Sequence, residues 1–302
     1  MPTAEPNVVG RLAPTPSGRL HLGNVCAFAA AWLSVRAAQG RLLLRIEDVD
    51  TTRSVPGRAD EIRRDLNWLG LHWDAETTPQ SERDYSPVLR ALSPHLYACT
   101  CTRSQRAGQP YPGTCREAGH AEGALRFRLP PGNVGFHDRR LGGLDVDPNV
   151  FGDPVLRRRD GVFAYNLAVV ADDLADGVTE VVRGGDLLEF TSVQIRLWEA
   201  MGARPPTWLH TPQIIGADGR KLSKSHDALA ISSLRTRGFT AQEIWDVVLP
   251  WFGYPEGTAL ADAVSSFDPA RGEPAAIHVD FIESGSVSRP LRVSCRPESG
   301  GT

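Results

Sequence analysis

Val8-Val9-Gly10-Arg11-Leu12-Ala13-Pro14-Thr15-Pro16-Ser17-Gly18, with His21-Leu22-Gly23-Asn24 close behind it, is the stretch whose reading decides the fold. The apolar run at its start predicts a buried strand, and the Pro/Ser/Gly cluster that follows cannot continue it and predicts a turn. Past the turn, Phe28, Trp32 and Val35 recur at helical spacing, with Asn24 read as the N-cap and Gly40 as the stop. Leu42-Leu43-Leu44-Arg45-Ile46 then reads as a buried strand of a parallel sheet. The result is a β-α-β unit with a Gly/Pro-rich first turn. In α/β proteins that turn is where nucleotides bind, because the helix N-terminus offers unpaired N–H groups and a favourable dipole to phosphate. His21 can donate to a phosphate oxygen there, and Gly23 lets the backbone approach without a Cβ clash.

Outward from this unit, residues 57–69 predict a helix with Ile62, Leu66 and Leu69 on its apolar face. Residues 124–129 alternate like a half-exposed strand, and residues 163–170 are apolar enough for a central one. Residues 179–183 predict a further strand ended by Gly184-Gly185, residues 192–201 a helix, and residues 241–252 a last helix carrying Ile244, Trp245, Val248 and Leu249. Residues 99–124 hold glycines, prolines and three cysteines but few aliphatic side chains, so they predict an insertion held by something other than a core. Beyond about Gly257 the periodicity gives way to Pro, Ser and Gly. The expected organisation is a first half of an α/β nucleotide-binding core (8–96), the insertion (97–130), a second half (131–255) and a poorly ordered tail (256–302) without assigned function.

With 302 residues, 41% hydrophobic and 23% charged, the chain can bury a sizeable core as one large domain or two closely joined ones. Its longest apolar stretches, such as residues 27–33, are too short to cross a bilayer and are soon followed by Arg36. The start, Met1-Pro2-Thr3-Ala4-Glu5-Pro6, lacks the basic residues and apolar run of a signal peptide, so a cytoplasmic location is expected. Its five cysteines are then read as thiols or metal ligands, Cys26 and Cys295 as free. A net charge of -3 neither demands nor excludes a nucleic-acid partner.

A second chemical motif, Lys221-Leu222-Ser223-Lys224-Ser225, lies on a glycine-flanked loop. Two lysines around small hydroxyl residues suit a clamp on a triphosphate whose charge shifts as pyrophosphate leaves. In the insertion, Cys99, Cys101, Cys115 and Tyr111 could complete a tetrahedral zinc shell, with His95 or His120 as alternatives to the tyrosine.

In this order and at this separation, His21-Leu22-Gly23-Asn24 and Lys221-Leu222-Ser223-Lys224-Ser225 resemble the HIGH and KMSKS signatures of class I aminoacyl-tRNA synthetases. Residues 11–18, the His21 tetrapeptide and Arg45-Ile46-Glu47-Asp48 look like the opening of the glutamyl and glutaminyl enzymes. Residues 159–170 and 182–187, the cysteine element, and a chain that stops where a full glutamyl enzyme would continue into an anticodon-binding region are most similar to the short glutamyl-Q tRNA(Asp) synthetase family.

The resemblance implies a Rossmann-type core with a zinc-bearing insertion subdomain, one structural Zn²⁺ on Cys99, Cys101, Tyr111 and Cys115, and ATP with Mg²⁺ as substrate. It implies ATP contacts at His21, Gly23, Asn24, Lys221 and Lys224, with His21 and Lys224 catalytic. Glutamate has one ammonium and two carboxylates, so its site needs an acid and at least one arginine. Glu47 suits the ammonium, Arg11 and Arg183 the carboxylates, and Tyr165 adds a donor; the family's amino-acid site also covers Ala13 and Thr15. The expected activity is AMP-forming activation of L-glutamate and transfer to queuosine in the anticodon loop of tRNA(Asp), by a monomer with no membrane partner. The alternatives are a short glutamyl-tRNA synthetase charging the 3′ end and a catalytically silent tRNA-binding module.

Overall fold

A computed structural model describes residues 8–102, 109–216, 230–272, 276–281 and 293–296. The expected unit opens it: β1 (Val9–Leu12), α1 (Leu22–Ala37) and β2 (Arg41–Leu44), with β2 parallel to β1 and Leu12 opposite Leu44. The cap of α1 is His21, not Asn24. Asn24 stands in the first turn, where its side-chain oxygen accepts the His21 backbone N–H at 3.1 Å, so the residue type suited to capping acts back on the cap from inside the helix. After α2 (Arg58–Trp68), β3 (Ala75–Glu76) adds parallel to the far edge of β2.

From α3 (Ser86–Ala91) the chain enters β4 (Leu96–Cys99), then β5 (Ala124–Phe127), the hairpin of β6 (Val134–Asp138) and β7 (Gly142–Val146), and β8 (Val155–Arg157). β4, β5 and β8 make a small antiparallel sheet at the base of the insertion, so this sheet borrows β8 from beyond residue 130. Then come α4 (Tyr165–Ala175), β9 (Glu180–Gly184), α5 (Phe190–Ala200) and β10 (Thr207–Thr211), with β10 parallel to both β9 and β6.

Residues 165–170, read from sequence as part of a strand, are therefore helical. The reason is burial: Leu167 through Asp173 are all buried, so α4 shows no polar face to betray a 3.6-residue period, and a short apolar run looks the same as a central strand.

The two parallel halves meet at β1 and β9. Thr179 N–H donates to Val9 O, and Val9 N–H to Thr179 Oγ1, both at 2.9 Å. Across the molecule the strands run β3-β2-β1 and then β9-β10. The chain winds away from β1 to one side and later returns on the other, which leaves a crevice at the strand ends between β1 and β9.

β11 (Gln213–Gly216), α6 (Ile231–Thr236), α7 (Ala241–Val248) and α8 (Leu260–Ala263) follow, then β12 (Ala276–Phe281) parallel to β11 and β13 (Val293–Arg296) antiparallel to β12. The expectation of a poorly ordered tail from residue 256 is thus corrected for its described residues. Leu260 and Ala263 are buried, and the Tyr254 hydroxyl donates to Ala263 O at 2.8 Å. Elements this short are hidden by a Pro/Gly/Ser-rich composition. Among the described residues no helix is long and apolar enough to cross a membrane.

Candidate active site

The crevice is a cleft of about 590 Å³, within the size range of small-ligand sites. Nine of the residues singled out in the sequence line it: Arg11, Ala13, Thr15, His21, Gly23, Asn24, Glu47, Tyr165 and Arg183. They arrive from six places: the end of β1, the turn after it, the start of α1, the segment after β2, the start of α4 and the end of β9. Lys221 and Lys224 lie outside the described residues. The described chain on either side of them borders the cleft. Gln213 and Ile214 of β11 line it, and Ile231 N–H donates to Leu20 O at 2.8 Å, beside an antiparallel bridge between Ala230 and His21.

At one wall stands the positive N-terminus of α1, sixteen residues long. A Cβ on Gly23 would lie 3.1 Å from the His21 ring, so glycine is what lets the ring fold back over the helix start.

At the opposite wall the charges are buried. Arg183 is 6% exposed, and its hydrogen bonds run to neutral acceptors: His210 Nε2 (3.1 Å), Gln194 Oε1 (2.6 Å), Thr191 Oγ1 (2.7 Å) and Leu187 O (3.3 Å). Burial pushes its pKa below the ordinary arginine value, the mark of a cation short of negative charge. Arg11 differs, since its guanidinium already holds Asp173 at 3.2 Å and Val182 O at 3.1 Å. Glu47 receives Arg45 at 3.2 Å, yet burial raises its pKa against the pull of Arg45 and Arg11. A cation arriving beside Glu47 would lower it again.

The sequence reading missed the network beneath this wall. Arg45, fully buried, pairs with Glu47, with Asp173 (2.8 Å) and with Asp176 (3.4 Å), and lies 3.9 Å from Asp172. Asp172 also takes Gln80 (2.7 Å), the Tyr85 hydroxyl (3.0 Å) and Arg83 (3.1 Å). One signal was available: two adjacent aspartates inside an otherwise apolar run, a placement that needs buried partners. His210, Thr191 and Gln194, which hold Arg183, and Asp138 behind His210 had no such signal.

In the insertion, Cys99, Cys101 and Cys115 converge, their sulfurs all within 4.8 Å of one another. Cys101 and Cys115 are 3.6 Å apart, and the Tyr111 hydroxyl is 3.5 Å from Cys99 Sγ. A zinc bonded to sulfur at about 2.3 Å in a tetrahedron spaces its ligands roughly 3.8 Å apart, so the donor set fits the ion. Although burial acts against it, hydrogen bonds from the Thr100 backbone, the Tyr111 hydroxyl and Cys101 bring the Cys115 thiol down to about 6. His120 is directed to Thr100 Oγ1 and His95 against the Phe127 ring, and neither joins the cluster.

Comparison with known proteins accounts for this arrangement. The family model described as tRNA synthetases class I (E and Q), catalytic domain, matches residues 7–105 and 114–259, breaking only within the insertion. The chain is 44% identical over 269 residues to the glutamyl-Q tRNA(Asp) synthetase of Nitratidesulfovibrio vulgaris, covering 78% of this chain and 83% of that one. It is 49% identical over 232 residues to the protein of the same name from Ectopseudomonas mendocina, covering 72% and 77%. In fold it resembles the glutamate-tRNA synthetase of Elizabethkingia anophelis, with a TM-score of 0.80 at 24% identity over 90% of this chain and 68% of that one. The chain therefore belongs to the class I tRNA synthetases of the E and Q type, and carries their catalytic domain.

Proposed function

We propose that this chain activates L-glutamate with ATP and transfers it to queuosine in the anticodon loop of tRNA(Asp). The observation that carries the reading is the composition of the cleft: a helix N-terminus suited to phosphate on one wall, and on the other a buried arginine with neutral partners beside a buried glutamate. The names of its relatives at 44% and 49% identity support the same substrates.

In the first step a carboxylate oxygen of glutamate attacks the α-phosphorus in line, the bond to the bridging oxygen breaks, and pyrophosphate leaves with that electron pair. Positioning and charge stabilisation dominate such a transfer. Arg183 holds a carboxylate, with the Tyr165 hydroxyl beside it; Glu47 takes the ammonium; Arg11 adds positive charge. Ala13 and Thr15 shape the turn against the substrate. His21, Gly23 and Asn24 seat the ATP phosphates at the start of α1, and Lys221 and Lys224 complete their charge neutralisation, with Mg²⁺ arriving on the nucleotide. In the second step a nucleic-acid hydroxyl attacks the activated carbonyl and AMP departs.

Cys99, Cys101, Cys115 and Tyr111 would hold one zinc ion, whose role is structural: it ties together a segment poor in aliphatic side chains, so residues 97–130 behave as a subdomain between the two halves of the core. Elemental analysis of protein purified without chelator is expected to find one zinc per chain, lost in Cys115→Ala. A metal-free preparation that is fully folded and active would remove the assignment.

The activity is tested with radiolabelled glutamate and ATP on tRNA(Asp) with and without queuosine and on tRNA(Glu). The proposal expects labelling of the queuosine-bearing tRNA alone, lost after periodate oxidation and indifferent to removal of the 3′ adenosine. Labelling at the 3′ end of tRNA(Glu) would make the chain a short glutamyl-tRNA synthetase, and no labelling anywhere would mark a silent module.

A further inference from the structure

We propose that His210, held by Asp138 with its proton on Nδ1, is the positioning residue that sets Arg183 toward the substrate carboxylate. This rests on reading the cleft as the glutamate site.

The argument starts at Asp138, whose side chain is fully buried. Its Oδ1 accepts the Arg140 and Leu141 backbone N–H groups at 3.0 Å each, and its Oδ2 accepts the His210 backbone N–H at 3.0 Å. Three backbone donors fix the carboxylate as an anion that only accepts, so the 2.7 Å contact between its Oδ2 and His210 Nδ1 must be a bond donated by the imidazole. With the proton on Nδ1, His210 Nε2 carries a lone pair, and that lone pair receives the Arg183 Nε–H at 3.1 Å, with the Thr191 hydroxyl also 3.1 Å away. The reverse tautomer would set two N–H groups against each other. An imidazolium would do the same and add a second buried cation. Burial and the nearby Arg183 both lower the His210 pKa, in keeping with a neutral ring.

The consequence falls on the five N–H bonds of the guanidinium. His210 takes Nε, Thr191 and Leu187 O take both on Nη2, and Gln194 takes one on Nη1, which leaves one Nη1 N–H for the cleft, where the Tyr165 hydroxyl also approaches the guanidinium. The Arg183 plane also lies over the Trp208 ring, 4.9 Å from its centroid. The arginine is thereby fixed in orientation by neutral acceptors that leave its charge unspent. The aspartate that orders the array stands two hydrogen bonds behind the arginine, acting through a histidine as the acid behind a catalytic histidine does.

Two substitutions separate this role from mere packing. In His210→Gln the side-chain oxygen can stand near the former Nε2 and accept from Arg183. In His210→Asn the amide can replace the Nδ1–H toward Asp138 but leaves Arg183 without its acceptor. The expected result is a glutamate KM raised roughly tenfold or more in His210→Asn, the scale of one lost hydrogen bond to a charged group, with the ATP KM unchanged. His210→Gln should stay close to wild type in both.

Equal effects of the two substitutions, or a loss falling on kcat or ATP alone, would overturn the inference. Should both variants misfold, ¹⁵N spectra of histidine-labelled wild-type protein still decide it. They should show His210 protonated at Nδ1 and bare at Nε2 at neutral pH; a proton on Nε2 refutes the array. Wild-type protein that labels no tRNA with glutamate would defeat the reading of the cleft, while leaving the tautomer measurement to stand or fall by itself.

Discussion

Arg183→Gln is expected to raise the KM for glutamate by roughly 100-fold or more while leaving the KM for ATP within experimental error of wild type. The size follows from the site's charge arrangement. Removing one partner of a buried, hydrogen-bonded charge pair costs about 2–5 kcal/mol, and each 1.4 kcal/mol is about tenfold in affinity. Arg183 earns this weight over Arg11 because Arg11 already spends its charge on Asp173 at 3.2 Å, whereas the hydrogen bonds of Arg183 run to neutral groups. Arg11→Gln should therefore cost less in glutamate affinity and more in stability, because it strips a partner from a buried aspartate. Arg183→Lys should fall between wild type and Arg183→Gln: it keeps the charge but cannot reach His210, Gln194 and Thr191 at once, so the cation is no longer held in one place. Steady-state labelling at varied glutamate and at varied ATP separates the two KM values. A glutamine variant whose loss falls equally on both substrates would contradict the assignment of Arg183 to the amino acid.

The legible part of the site was the part written in the chain's local order. A strand, a Pro/Gly turn and a helix start set Arg11, Ala13, Thr15, His21, Gly23 and Asn24 around one point by backbone geometry alone, and the structure lines one cleft with all six. Glu47 and Arg183 were legible as residues at strand ends, which in a parallel sheet converge on the same edge. Tyr165 lines the cleft although its element was misread: it is the first residue of α4. What could not be read was everything that depends on contacts between distant segments. Asp138 meets His210 across seventy-two residues, and Gln80 meets Asp172 across ninety-two. Neither pair leaves a periodicity or a turn signal. Asn24 was read as a cap because its residue type favours one, but the helix began three residues earlier, where histidine takes the position and asparagine serves it from within.

Arg45→Met should be the most destabilising single change in the core, by about 3–5 kcal/mol, although the replacement is apolar and of similar length. A buried ion pair replaced whole by apolar groups can be neutral; one stripped of its cation is not, because the anions stay behind. Arg45 faces Glu47, Asp172, Asp173 and Asp176, and of the four only Asp172 and Asp176 also hold Arg83, while Asp173 retains Arg11. The pH dependence gives the deficit a signature. In the wild type, burial raises the pKa of Asp173, but Arg45 and Arg11 outweigh it and hold the group below the usual carboxylate range. A folded pKa that is depressed contributes stability above the unfolded value, near 4, and loses it as the pH falls through the folded one. Without Arg45 burial prevails, the folded pKa rises past the unfolded one, and the contribution changes sign above pH ~4. The gap in unfolding free energy between wild type and Arg45→Met should accordingly be open already at pH ~4, where the wild type still keeps most of the Asp173 contribution, and widen further toward pH ~7 as the variant's buried acids are forced to ionise, as read by denaturant titration across that range. Because Asp172 and Asp173 lie on α4, Asp176 caps its end and Glu47 follows β2, the same variant should also weaken glutamate binding, for the helix that carries Tyr165 into the cleft is anchored through these aspartates to Arg45. A gap that is flat with pH would mean that the acids bind no extra protons in the variant, and that Arg45 serves the core as packing and not as charge.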